Sequence, residues 1–225
     1  MPKRRKVGNL LALTLLAQLM ERPMYPYEMA AVLRERGKDQ AVKINWGSLY
    51  TVVQNLEKNG FIQAVQVDRE GRQPERTTYQ ITAAGQGELR DWLRELLGDP
   101  EREYTRFEAG LSDAAQLPPE EVISLLRHRL EVLEADIEGA RADLTATSKQ
   151  VPRLFLIENE YQVAMRQAEA DWVRGVLAEL EAGTFPGAAM WQALHAAGGF
   201  DGTGKVPPEV AQLLAEAAGD QGDGT

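Results

Sequence analysis

The chain contains no cysteine in its 225 residues, so disulfides, thiolate zinc or iron–sulfur ligation and thiol redox sensing are excluded. Its two histidines, His128 and His195, stand too far apart in sequence to suggest a histidine metal site. No apolar run approaches the roughly 18 residues of a membrane span. The longest, residues 10–19, is broken by Thr14 and Gln18. There is no glycine-rich phosphate loop and no strand–turn–helix nucleophile elbow. Carboxylate pairs such as Glu120 with Glu121 and Glu158 with Glu160 read as solvated helix faces. These absences lead us to expect a soluble, cytoplasmic protein that is not an enzyme, holds no cofactor or metal, and does not enter a membrane.

Positive charge is scarce overall, and its distribution is informative. The net charge is −9, but residues 1–97 carry 15 Lys and Arg against 11 Asp and Glu (+4), and residues 98–225 carry 10 against 23 (−13). Such an asymmetry fits a basic module that meets nucleic acid joined to an acidic half that does not. Lys3-Arg4-Arg5-Lys6 concentrates four of the positive charges at the start. The run resembles a nuclear localisation signal, a pattern with many false positives. It reads equally as a flexible basic arm that adds phosphate contacts or as a solvated terminus.

Residues 46–87 carry the clearest organisation. Ser48 offers an N-cap, Asn59-Gly60 a left-handed stop, and between them Leu49, Val52, Val53 and Leu56 recur at the spacing of one buried helix face. The opposite face presents Tyr50, Thr51, Gln54, Asn55 and Lys58. By itself a polar face is only a solvated face, although these side-chain types also bond base edges and phosphates when a helix lies in the major groove. Phe61, Ala64 or Val65, and Val67 then alternate, and 77–81 is β-branched and aromatic, so two paired strands are expected. The turn between them, 68–76, contains Gly71 and Pro74 and presents Arg69, Arg72 and Arg76. Guanidinium groups on such a turn can grip phosphates or enter the minor groove. Helices over 9–21 and 27–36, the second introduced by Pro23 and Pro26, supply a scaffold. Helix, hairpin and helix in this order form the winged helix-turn-helix plan.

Leu49-Tyr50, Leu56-Glu57-Lys58-Asn59-Gly60-Phe61-Ile62 and Gly71-Arg72-Gln73-Pro74-Glu75-Arg76-Thr77-Thr78-Tyr79-Gln80-Ile81-Thr82-Ala83-Ala84-Gly85 together resemble the DNA-binding domain of PadR-like transcriptional regulators. The family's usual wing reads Gly-Arg-Pro, and here Gln73 stands between Arg72 and Pro74. The resemblance covers about residues 9–97, and the acidic half looks like the longer dimerisation domain of one branch of the family. It implies a homodimer, repression, and an effector pocket at the dimer interface for phenolic acids or flat multi-drug ligands. Trp92 and Trp172 are the candidate effector-binding residues, each equally readable as core.

Beyond the motif, 82–97 continues as a helix with Leu89, Trp92, Leu93, Leu96 and Leu97 on one side. A packed connector over 101–117 follows, holding Tyr104, Phe107 and Leu111. Pro118-Pro119-Glu120-Glu121 then opens a helix expected to run to about Thr147, roughly 40 Å at 1.5 Å per residue. Its seam is Val122, Leu126, Leu130, Leu133, Ile137, Ala140 and Leu144. A second stripe, Leu154, Ile157, Tyr161, Met165, Ala168, Trp172, Val176 and Leu180, completes a helical hairpin that is either an intramolecular core or a dimer seam. The Gly, Ala and Pro-rich remainder holds an apolar patch at Met190-Trp191-Leu194 and a short helix expected over 209–218.

The expected architecture is therefore mainly α with a two-stranded wing. It divides into a winged-helix domain with basic arm (1–97), a connector (98–117), an antiparallel helical dimerisation domain (118–182) and a partly disordered tail (183–225). The expected partners are double-stranded operator DNA, a second copy and a small aromatic effector. On the recognition helix Thr51, Gln54 and Asn55 would meet base edges, while Ser48, Tyr50 and Lys58 complete its candidate contacts. Arg69, Arg72 and Arg76 of the wing and Lys3, Arg4, Arg5 and Lys6 of the arm would meet the backbone. The alternative is an adapter whose winged helix binds protein.

Overall fold

A computed structural model describes residues 5–37, 46–68, 76–200, 208 and 210–212. The chain divides into two compact units, Met1–Arg102 and Glu103–Thr225. In the first unit α1 (Leu10–Leu19), α2 (Pro26–Glu35) and α3 (Leu49–Lys58) precede β1 (Ile62–Asp68), β2 (Arg76–Ile81) and α4 (Ala83–Gly98).

Local chemistry explains these boundaries. The Asn9 side chain caps α1 by accepting from the Leu11 amide at 2.9 Å, and α2 begins with Pro26 at its first position, where no amide hydrogen is needed. The apolar stretch 10–19 fills the core with Leu11, Leu15, Leu16 and Leu19. Gln18, its polar interruption, is also buried and donates to the Met29 carbonyl of α2 at 3.3 Å. A short 3₁₀ turn, Trp46–Ser48, leads into α3. Ser48 takes the N-cap position, but its side chain makes no capping hydrogen bond, contrary to the expectation from sequence. The other end follows the expectation. Gly60 adopts φ +73°, its amide donates to the Glu57 carbonyl at 2.8 Å, and the Phe61 amide donates to Leu56 at 3.0 Å. This is the paired-bond, left-handed helix stop that glycine makes accessible.

The strands are antiparallel with Ile62 opposite Ile81 and Asp68 opposite Arg76. A register irregularity between Ala64 and Gln66 marks a bulge at Val65, which is 45% exposed. That extra residue is why the alternation is ambiguous at Ala64 and Val65. Met24 and Tyr79 exchange backbone hydrogen bonds of 3.0 and 2.9 Å, so the α1–α2 link adds an isolated bridge to the hairpin. Thr82 caps α4 by accepting from Gly85 at 3.1 Å and donates to the Gly60 carbonyl at 2.6 Å, fastening the start of α4 to the end of α3.

In the second unit the segment expected as a packed connector contains α5 (Arg106–Ser112) and a 3₁₀ turn, Ala114–Gln116. The Thr105 side chain caps α5, accepting from the Glu108 amide at 3.1 Å. Helix α6 (Pro119–Thr147) and α7 (Ile157–Glu181) follow, paired as a hairpin. Val122, Leu126, Leu133 and Ile137 of the expected α6 seam are buried. On α7 the buried residues are Ala170, Val173 and Leu177 instead of the expected stripe. Val176 and Leu180 pack partly against the core, whereas Leu154, Ile157, Tyr161, Met165, Ala168 and Trp172 are exposed. The smaller side chains face α6 because they permit close helix approach, and the bulky stripe is turned aside. Ion pairs between the helices tie the register, among them Arg127 with Glu181 at 2.6 Å and Arg174 with Glu134 at 2.7 Å.

The region expected as a tail begins with a docked helix, α8 (Ala188–Ala196). Trp191 packs against the α6–α7 core and its Nε1 donates to the Leu117 carbonyl at 2.9 Å. His195 Nε2 lies 2.9 Å from the Ala115 carbonyl, and since a carbonyl only accepts, that nitrogen carries the hydrogen. Residues 208 and 210–212 are helical; the rest of the helix expected over 209–218 lies outside the described residues.

At Gly85 a Cβ would stand 2.0 Å from the Phe61 carbonyl oxygen and 2.8 Å from Ile81 Cγ1, so α4 can approach the hairpin only with glycine there. Gly85→Ala is expected to lower the unfolding free energy of the chain by about 2 kcal/mol or more through overpacking. Urea denaturation followed by circular dichroism would measure it, and a loss under about 0.5 kcal/mol would refute the close approach.

Candidate nucleic-acid interface

Helix α3 buries Leu49, Val52, Val53 and Leu56 and turns Tyr50, Thr51, Gln54, Asn55 and Lys58 to solvent. Tyr50 is 60% exposed, an unusual position for a large aromatic ring that has no core to join. Ser48 stands half-buried at the start of the helix. One helix face thus gathers hydroxyl, amide and ammonium groups, the donors and acceptors that read base edges and phosphates.

The hairpin is fastened beside this helix. The Tyr79 hydroxyl donates to Glu57 Oε2 at 3.5 Å, a long bond from β2 to α3. Burial, and then the charge of Glu57, raise the Tyr79 pKa above its ordinary 10.0. Glu57 and Tyr79 had no signal in sequence as a pair, because they stand 22 residues apart on different elements and meet only in the folded chain.

The remaining predicted contacts divide. Lys3, Arg4, Arg69 and Arg72 lie outside the described residues, and Arg76 opens β2 with its side chain outside the description. Lys6 is exposed. Arg5 corrects the expectation of a free basic arm, for its guanidinium is engaged within the protein. One terminal nitrogen donates to Glu88 Oε1 at 2.6 Å, the other pairs with Glu95, and its carbon lies 5.1 Å from the Trp92 ring centroid. A signal was present in sequence, since Glu88, Trp92 and Glu95 share one face of α4 at i, i+4 and i+7.

The two candidate effector residues sit in different units. Trp92 is buried in the core of the first, with Arg5 against its ring. Trp172 in the second is 49% exposed and meets Phe107 edge-to-face at 6.1 Å. Arg129 lies over the other aromatic partner, 3.6 Å from the Phe107 centroid, while its Nε donates to Glu169 at 2.6 Å. A surface groove of about 560 Å³ on the α6–α7 hairpin, walled by Arg141, Leu144, Glu160, Val163, Gln167 and Asp171, has no aromatic lining. Among the described residues no helix is long and apolar enough to cross a membrane.

A helix with a polar outer face, a two-stranded hairpin fastened at its end and a following helix define the class of winged helix-turn-helix domains. Residues 15–91 form a domain of the transcriptional regulator PadR-like family. No curated protein matches the chain. The fold is similar to that of PadR from Bacillus subtilis in complex with operator DNA, at TM-score 0.63 and 18% identity over 76% of this chain and 99% of that one. The same Bacillus subtilis protein in complex with p-coumaric acid matches at TM-score 0.62 and 17% identity, over 77% and 99% of the two chains. The virulence activator AphA of Vibrio cholerae matches at TM-score 0.57 and 20% identity, over 76% and 98%.

The raised pKa of Tyr79 has a pH consequence. The folded state holds the phenolic proton more tightly than the unfolded state, so this contribution is complete below pH 10.0 and is lost as pH rises through the raised value. Thermal melts between pH 8 and 11.5 should fall on the alkaline side, and Tyr79→Phe should flatten that limb. An unchanged limb in the variant would refute the assignment.

Proposed function

We propose that the protein is a homodimeric, sequence-specific DNA-binding transcriptional regulator that represses from a pseudo-palindromic operator. The observation that carries this reading is the division of α3, whose apolar face is buried and whose face of Tyr50, Thr51, Gln54, Asn55 and Lys58 is open. Thr51, Gln54 and Asn55 meet base edges in the major groove, with Ser48 at the helix start. Tyr50 and Lys58, with Arg69, Arg72 and Arg76 of the wing, meet phosphates. Two such helices span half-sites about 34 Å apart, one turn of DNA.

Support for the dimer comes from apolar surface that one chain leaves uncovered. On α6, Leu125 and Val132 are exposed, and on α7 Ile157, Tyr161 (66% exposed), Met165 and Trp172 are exposed. An uncovered stripe of this size on paired helices favours association through that stripe. Similarity to the operator-bound Bacillus subtilis PadR supports the DNA reading, and similarity to its complex with p-coumaric acid supports release by a small aromatic effector. Of the two candidate tryptophans, Trp172 has the accessible ring. Its neighbour Phe107, edge-to-face with it, suits a flat aromatic ligand.

The test is a gel-shift titration on the protein's own upstream DNA at several salt concentrations with non-specific competitor. A competitor-resistant, salt-sensitive complex of two subunits per site is expected, and Gln54→Ala should weaken it by about 1–3 kcal/mol. Wild-type affinity in that variant would refute the role of α3. A complex that competitor removes would favour the protein-adapter reading. In sedimentation velocity the wild type should be a dimer and the double variant Tyr161→Glu, Met165→Glu a monomer; a dimer unaffected by both charges would exclude this stripe.

A further inference from the structure

We propose that Arg5 is a positioning residue for DNA binding: it roots the basic run Lys3-Arg4-Arg5-Lys6 on α4 and does not itself contact phosphate. The inference rests on the DNA-binding reading above.

The side chain of Arg5 is only 12% exposed. It enters a receptacle built from one face of α4, where Glu88 and Glu95 take its two terminal nitrogens and Trp92 lies against its plane. Two carboxylates spaced for the tips of a fork, with an indole between them, match a guanidinium and not an ammonium, which is a point charge and can satisfy only one of them at a time. The Nε of Arg5 is buried without a partner, so recognition falls on the tips and the ring. Two residues further on, Val7 is buried in the core, while Lys6 between the two anchors faces solvent. The backbone is therefore pinned on both sides of Lys6, at the root of the charged run. A fixed root raises the effective concentration of the run's charges at a bound backbone and lowers the ordering cost of using them. A salt link already satisfied by two glutamates has little left to offer a phosphate.

The experiment measures operator affinity of the full chain against salt for wild type, Arg5→Lys, Arg5→Gln, the triple variant Lys3→Gln, Arg4→Gln, Lys6→Gln, and the triple combined with Arg5→Lys. Fluorescence anisotropy gives the slope of log K on log salt, which counts phosphate contacts at about 0.9 each. The expected result is that Arg5→Lys, although it keeps the charge, loses about three- to tenfold in affinity at low salt and flattens the slope nearly as far as the triple variant does. In the triple background it should change nothing further. A partly unfolded fraction would lower apparent affinity and leave the slope unmoved, so the slope separates positioning from mere stability. The proposal is overturned if Arg5→Lys has the wild-type slope, and equally if it flattens the slope further in the triple background. An additional loss in Arg5→Gln alone, of about one contact, would identify Arg5 as a phosphate ligand. Absence of any competitor-resistant complex with the wild type would instead refute the DNA-binding reading itself.

Discussion

The burial of Leu49, Val52, Val53 and Leu56 is the constraint on which the candidate interface depends. Each such side chain contributes about 1.5–3 kcal/mol when fully removed from water. A helix anchored by four of them over about two turns cannot rotate about its axis without exposing that surface. Its other face, with Tyr50, Gln54 and Lys58, is therefore presented in one orientation. Specific recognition needs that rigidity, since a reading helix that rolled would average over base edges.

The hairpin and α4 inherit their positions from the same helix. Gly60 closes α3 and its carbonyl receives the Thr82 hydroxyl, while Gly85 lets the first turn of α4 press onto the Phe61 carbonyl. Tyr79 ties β2 to α3 through Glu57. Small, local contacts thus carry the geometry from α3 into β2 and into α4, which in turn receives Arg5 through Glu88 and Glu95. Basic charge in this unit is accordingly of two kinds: groups in open solvent such as Lys6 and Lys58, and the Arg5 guanidinium engaged as a structural tie.

The second unit is organised by close packing. Ala170 and Val173 are fully buried against α6, and the ion pairs along the hairpin fix its antiparallel register. Bringing the small residues inward leaves the bulky ones outward, which is unfavourable for an isolated chain and favourable for an assembly. Helix α8 adds a clasp, since Trp191 and His195 satisfy two carbonyls between α5 and α6. The acidic residues of this unit lie on solvated helix faces, several of them in ion pairs within and between the helices.

Much of this was legible in the chain itself. The periodicity of 49–56, the Asn59-Gly60 stop, the hairpin and the prolines that open α6 are local signals, because helix caps, turns and amphipathic stripes depend on residues within a few positions of one another. The polar face of α3 was legible for the same reason. Other features required distant residues to meet. The rotation of α7 by about a third of a turn relative to its bulkiest stripe depends on what α6 offers across the contact. The docking of α8 depends on carbonyls some eighty residues earlier. The capture of Arg5 depends on α4 lying beside residues 5–7, which makes an arginine of the expected free arm an internal tie. Composition and spacing thus determined α1 to α4, α6 and α7 as helices and which face of each is apolar, while the short helices α5 and α8 went unread. Tertiary structure alone decided which apolar face is covered and which charges remain free, because burial and ion pairing are properties of neighbours in space.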